Sequence, residues 1–161
     1  MGRREARESA FQLVYERVIT GEKNAFTLEL FKAKNAAESD YLEAVYGGVC
    51  AEYDRLTALV ARYSKGFSLE RIYKIDISVL LLSVYEILFI DDVPDLVAVN
   101  EGLELVKTYS TEKSSGFVNG VLAAIITNKD KILSGEPDEN KKEEKAEEVK
   151  QEEQSNESET D

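Results

Sequence analysis

Histidine is absent from this 161-residue chain. That removes the usual general base, the commonest zinc ligand and any Ser-His or Cys-His nucleophile pair. No metal, no cofactor and no catalytic residue is therefore expected. A single cysteine, Cys50, excludes an internal disulfide and points to a reducing compartment. Proline occurs only twice, and strand-like alternation is scarce, which leaves helices as the dominant expectation. Long apolar runs are missing too. The most apolar stretch, "ISVLLLSVYEILFI", contains Glu86 and is 14 residues long, against about 20 needed to span a bilayer. The start is charged and lacks the apolar segment of a signal peptide. These absences predict a cytoplasmic protein with no membrane contact.

What is present is charge, unevenly spread. The chain holds 20 Lys+Arg and 32 Asp+Glu, for a net −12. From Ser134 onward there are 4 basic and 12 acidic residues, so residues 1–133 carry only −4. The segment 134–161, "SGEPDENKKEEKAEEVKQEEQSNESETD", has one valine as its only large aliphatic residue. It cannot bury enough apolar surface to offset ordering entropy, and a disordered acidic tail is expected there. Residues 1–133 are long enough for one helical domain with a proper core.

Helical spacing recurs through that domain. Ala6, Ala10, Leu13 or Val14, and Val18 predict a helix over 3–20 that stops at Gly21. A short helix is expected over 25–34, and Ser39 is a candidate N-cap for a long helix over 39–65 closed near Gly66. Ser68, Arg71 and Ile72 suggest a brief helical turn. Residues 75–90 are apolar nearly all round, which predicts a central buried helix. Pro94 opens the next helix, with Leu96, Val99, Leu103 and Val106 as its inner stripe. The last is expected over 114–133.

Three constellations stand out. Arg3, Arg4 and Arg7 lie at the start of the first helix, where the helix dipole prefers acids. Arg4, Glu8, Gln12 and Tyr15 then step along one face. A basic entry followed by an amide and an aromatic ring suits single-stranded RNA, with phosphates on arginine and bases stacked or hydrogen-bonded. The alternative is a solvated helix face with Glu5 and Glu8 forming intrahelical pairs. In "FVNGVL", residues 117–122, Gly116, Gly120 and Ala124 form a stripe of small residues; spacing favours helix packing, while Phe117 and Asn119 could instead face RNA. In "SVYEIL", Glu86 sits within an apolar helix. It either pairs internally with a base or emerges beside Tyr85 where a partner supplies one.

"RREARESAFQLVY", "LERIYKIDISVLLLSVYEI", "DVPDLVAVNEGLELVKTYS" and "SSGFVNGVL" follow one another in an order that resembles the NusB family of bacterial transcription antitermination factors, from about Arg3 to Leu133. The resemblance implies an all-α fold of about seven helices in two packed subdomains. It implies no enzyme, but an adaptor that binds boxA RNA jointly with NusE, a small-subunit ribosomal protein. Together they would help RNA polymerase read through terminators, notably in rRNA operons. It assigns RNA contact to Arg3, Arg4 and Arg7, matches the family's first-helix tyrosine to Tyr15, and assigns the NusE side to Tyr85 and Glu86. Gln12, Phe117 and Asn119 stand as RNA candidates from the constellations above. Monomer and homodimer both suit such a fold. The chain departs from the family pattern at Glu5, Phe67, Ile77, Leu81, Gly116 and Ala123, several of which trim charge. This keeps open a helical protein-interaction module with little RNA binding of its own. The similar domain of some RNA cytosine methyltransferases would need a catalytic domain downstream, where this chain has its acidic tail.

Overall fold

The structure is a computed structural model, and it describes residues 2–135. Among these, eight α-helices and two short 3₁₀ turns account for the secondary structure, with no strand. The helices are α1 (Arg3–Thr20), α2 (Ala25–Lys34), α3 (Ser39–Ala51), α4 (Tyr53–Tyr63), α5 (Lys74–Phe89), α6 (Asp95–Tyr109), α7 (Glu112–Thr127) and α8 (Lys129–Ser134). None is long and apolar enough to cross a membrane. The expected acidic tail falls outside the described residues, apart from Ser134 and Gly135.

The chain divides into two compact units, before and after the Thr127–Asn128 link; composition alone had placed a boundary after Leu133. The first unit is built around α5. That helix packs on α1 and α3 on one side and on α4, α6 and α7 on the other. With neighbours on every side, it has no polar face to keep, which explains the unbroken apolar run. Leu80, Leu81, Leu82, Val84 and Ile87 are all buried. Helices α1, α2 and α3 pack on one another and α5, α6 and α7 on one another, with α5 joining the two groups. The second unit contains α8, closed by Gly135 in the left-handed region at φ 74°.

Two of the expected helices are divided. The one anticipated over 39–65 breaks at Glu52, although the hydrogen-bond ladder runs on through Glu52 N–H to Gly48 and Leu56 N–H to Glu52. The reason is a change of partner: α3 packs on α1, α2 and α5, whereas α4 packs on α5 and α7. One straight apolar stripe cannot serve both sets. The helix anticipated over 114–133 likewise breaks at Asn128. Ser39 is already helical rather than a cap. Glu38 precedes it and makes no capping bond; its carboxylate takes Arg3 instead.

The small-residue stripe also departs from expectation. A β-carbon at Gly116 or Gly120 would meet nothing within 4 Å, so these two glycines face solvent rather than another helix, while Ala124 is half-buried.

Candidate nucleic-acid interface

The opening arginines face three different environments. α1 begins with its dipole satisfied from within: Glu5 accepts the Gly2 N–H at 2.9 Å, and backbone N–H donors hold its carboxyl below the usual range. Arg3 donates from Nε to Glu38 at 2.9 Å, with its guanidinium 4.2 Å from the Tyr41 ring centre. Arg4 forks onto Glu101 from α6, Nε at 3.3 Å and Nη2 at 3.1 Å. Its side chain is 71 % exposed.

Arg7 is different, and it corrects the surface reading of two residues at once. Arg7 is 5 % exposed and Glu86 only 1 %. Arg7 Nε donates to both oxygens of Glu86, at 3.0 and 3.2 Å, and the Tyr41 hydroxyl donates to the same carboxylate. Burial opposes the charge on Arg7, and its surroundings, Glu86 among them, more than offset it. Burial, with the Glu86 charge adding to it, raises the Tyr41 phenol far above its ordinary range. The buried carboxylate therefore has its base inside the molecule. Neither Arg7 nor Glu86 is available to RNA or to a second protein in this arrangement, because each consumes the other's charge in the core.

The aromatic face expected on α1 does exist, and the fold extends it. Gln12 and Tyr15 are exposed. Tyr109, from the end of α6, packs on Phe11 with ring centres 5.0 Å apart and donates to Glu8. That hydrogen bond, with some desolvation, pushes its phenol upward. Three depressions run on from one another here. Tyr109 lines the first, beside Arg4, and the second, beside Tyr15 and Tyr73. Tyr73 then lines the third, a groove of about 680 Å³ with Phe67, Arg71, Lys113 and Phe117. Phe67 meets Phe117 edge-on at 5.3 Å. Asn119 is exposed two residues further along α7, about 200° around the helix from Phe117, and lines none of the three depressions.

One wall of the groove is fixed by Asp76, buried at the start of α5. It accepts from Ser110 Oγ at 2.7 Å and Ser114 Oγ at 2.6 Å, which ties the α6–α7 corner to α5. Thr111 Oγ1 accepts the Ser114 N–H at 3.3 Å and so caps the first turn of α7. Arg71 and Lys74, flanking Tyr73, and Lys113 have no carboxylate within ion-pair distance among the described residues. The sequence reading missed this trio. Its signal was the interleaving of aromatic and basic residues in "FSLERIYK".

Tyr85 lies on the opposite flank, half-buried beside Phe89 at 5.0 Å. A β-carbon at Gly48 would fall 2.0 Å from the Tyr85 ring, so the ring lies across α3 only because that position is glycine. Nearby, Glu38, Asp40 and Asp92 rim a depression of about 470 Å³ floored by Tyr41, Ala44 and Ile90.

The NusB family model matches residues 4–127. This chain belongs to the NusB family. A transcription antitermination protein NusB from Acetivibrio thermocellus is 37 % identical over 148 residues, covering 89 % of this chain and all of that one. Among solved structures, NusB of T. maritima superposes with a TM-score of 0.68 at 26 % identity, covering 89 % of this chain and 98 % of that one. A chain from a complex of antitermination factors NusB and NusE with double-stranded RNA gives 0.69 at 23 % identity, covering 78 % of this chain and 96 % of that one; this likeness shows the shared fold. The NusB fold thus carries, in this chain, an aromatic groove with Arg71 and Lys113, a neighbouring depression with Lys74, none of the three paired among the described residues, and an N-terminus whose arginines are each taken by a glutamate.

Proposed function

We propose that this protein is a transcription antitermination factor. It acts as a non-catalytic cytoplasmic adaptor that binds boxA-type RNA together with NusE within an RNA polymerase complex. The observation that carries the RNA half is the aromatic path from Tyr109 and Tyr15 through Tyr73 to Phe117, bordered by Arg71, Lys74 and Lys113 without acidic partners. Phosphates seek unpaired cations and unstacked bases seek aromatic faces, and this path offers both in succession. Gln12, beside Tyr109, adds an amide for base edges, while Asn119 stands off the path on another face of α7. Arg4 lies at one end of the path and reaches phosphate only by exchanging its glutamate, whereas Arg3 lines the depression it shares with Glu38 on the other flank.

The partner half is supported by the other flank. Tyr85 and Phe89 supply an aromatic patch, and Asp40 and Asp92, at the depression where Glu38 is already taken by Arg3, suit a basic ribosomal protein. Two weak subsites on one complex reinforce each other through effective concentration.

The test is a salt titration of RNA binding, with NusE present, on the Arg71→Ala/Lys74→Ala/Lys113→Ala variant. Three phosphate contacts contribute a slope of about −2 in log K against log salt, so that much of the slope should vanish. An unchanged slope removes the groove from the RNA path. The pairing of all three N-terminal arginines favours a second reading, a protein-binding module with little RNA affinity. That reading gains if the wild type binds NusE but no RNA in either condition.

A further inference from the structure

We infer that Glu101 is an internal rival of RNA phosphate for Arg4, so that RNA must displace a carboxylate before this arginine can contribute. The inference rests on the RNA-binding reading above and adds a regulatory contact to it.

The geometry has three parts. First, the Arg4 guanidinium holds Glu101 by a two-bond fork, Nε to Oε2 at 3.3 Å and Nη2 to Oε1 at 3.1 Å. A guanidinium takes a phosphate in the same two-bond manner. Second, the two partners differ in freedom: the Arg4 side chain is 71 % exposed and that of Glu101 19 %. Third, Arg7 Nη1 lies 3.7 Å from Glu101 Oε2, and Arg7 is locked in the core by Glu86. When Arg4 leaves, Glu101 stays in place with a cation still beside it. Arg4 is thus the movable member, and its release leaves no buried charge unpaired. While it is held, the carboxylate cancels the charge that would attract RNA.

Exposed ion pairs are weak, which bounds the expected effect at about two- to five-fold in affinity. The experiment measures binding of a short single-stranded RNA to the full chain with NusE at low salt. Four variants are compared: Glu101→Gln, Glu104→Gln, Arg4→Ala and the Arg4→Ala/Glu101→Gln double. Glu104 lies one turn further along α6, pairs with Lys107, and acts on Arg4 through charge but without a bond, so it controls for nearby charge apart from the fork. Glu101→Gln should tighten binding about two- to five-fold and steepen the salt slope by about 0.7, one phosphate's share. Glu104→Gln should do less, and the gain should vanish in the Arg4→Ala background. Circular dichroism checks folding. If Glu101→Gln is poorly folded, Glu101→Asp, which keeps the charge but shortens the reach, should show a smaller gain in the same direction.

Equal tightening by Glu104→Gln, persistence of the gain without Arg4, or weaker binding by Glu101→Gln would each overturn the inference while leaving RNA binding intact. The last result would make Glu101 an aid that positions Arg4. If neither wild type nor any variant binds RNA, the functional reading fails and the rivalry fails with it.

Discussion

The N-terminal arginines and the cations of the groove are chemically alike and electrostatically opposite. Arg3, Arg4 and Arg7 form the most basic stretch of the sequence, yet Glu38, Glu101 and Glu86 cancel all three. Arg71 and Lys74 sit in one unremarkable segment and Lys113 far from it in the chain, yet Arg71 and Lys113 meet at one groove and Lys74 lines the depression beside it, all three without an ion-pair partner among the described residues. A run of like charge in a sequence therefore measures neither the field at a surface nor the ligand it attracts. What counts is which carboxylates the fold delivers to it.

This contrast can be broken at several points. The largest effect is expected at Glu86. Removing one member of a buried pair leaves an uncompensated charge, which typically costs about 3–5 kcal/mol. Glu86→Ala should lower the urea midpoint accordingly, and a loss below about 1 kcal/mol, the scale of an exposed pair, would show that Arg7 is not held in the core as described. Next comes Asp76→Ala, which strips the acceptor from the Ser110 and Ser114 hydroxyls. About 1–3 kcal/mol of stability should go. Hydrogen exchange should rise across 110–114, since this carboxylate holds the corner, while α1 stays protected. Uniform loss of protection would mean that Asp76 supports the whole domain rather than the groove wall. The smallest effect is expected at Arg4. Arg4→Ala should leave the unfolding midpoint unchanged within error, in contrast to Glu86→Ala, because its pair with Glu101 is open to water and screened by salt. A clear drop in midpoint would place Arg4 with the structural arginines.

The limits of α1 were legible from the sequence because they are set locally. Its apolar spacing and Gly21, at φ 80°, are properties of the segment itself. The central position of α5 was legible as well, since a helix apolar on all sides has to be surrounded. Gln12 and Tyr15 were placed on one face of α1 by spacing, and that face is accessible; for Phe117 and Asn119 spacing favoured packing, whereas the fold exposes Asn119 and half-buries Phe117. The division of 39–65 was not legible, because α3 and α4 obey one local pattern and differ only in what they pack against.

By itself, then, the sequence determined the all-helical class, the central helix and the type of side chain available for a nucleic acid. These depend on periodicity and composition, which act over a few residues. Only the tertiary structure decided that Arg7 is core and Arg4 is surface. The two lie three residues apart on one helix and carry the same charge. Nothing local separates them until α5 brings Glu86 against one and α6 brings Glu101 against the other. Long-range approach also gathers Arg71, Tyr73, Lys113 and Phe117 from the start of α5 and the start of α7. The energy of a charge depends on its neighbours and its distance from water, and both are fixed only when the helices pack.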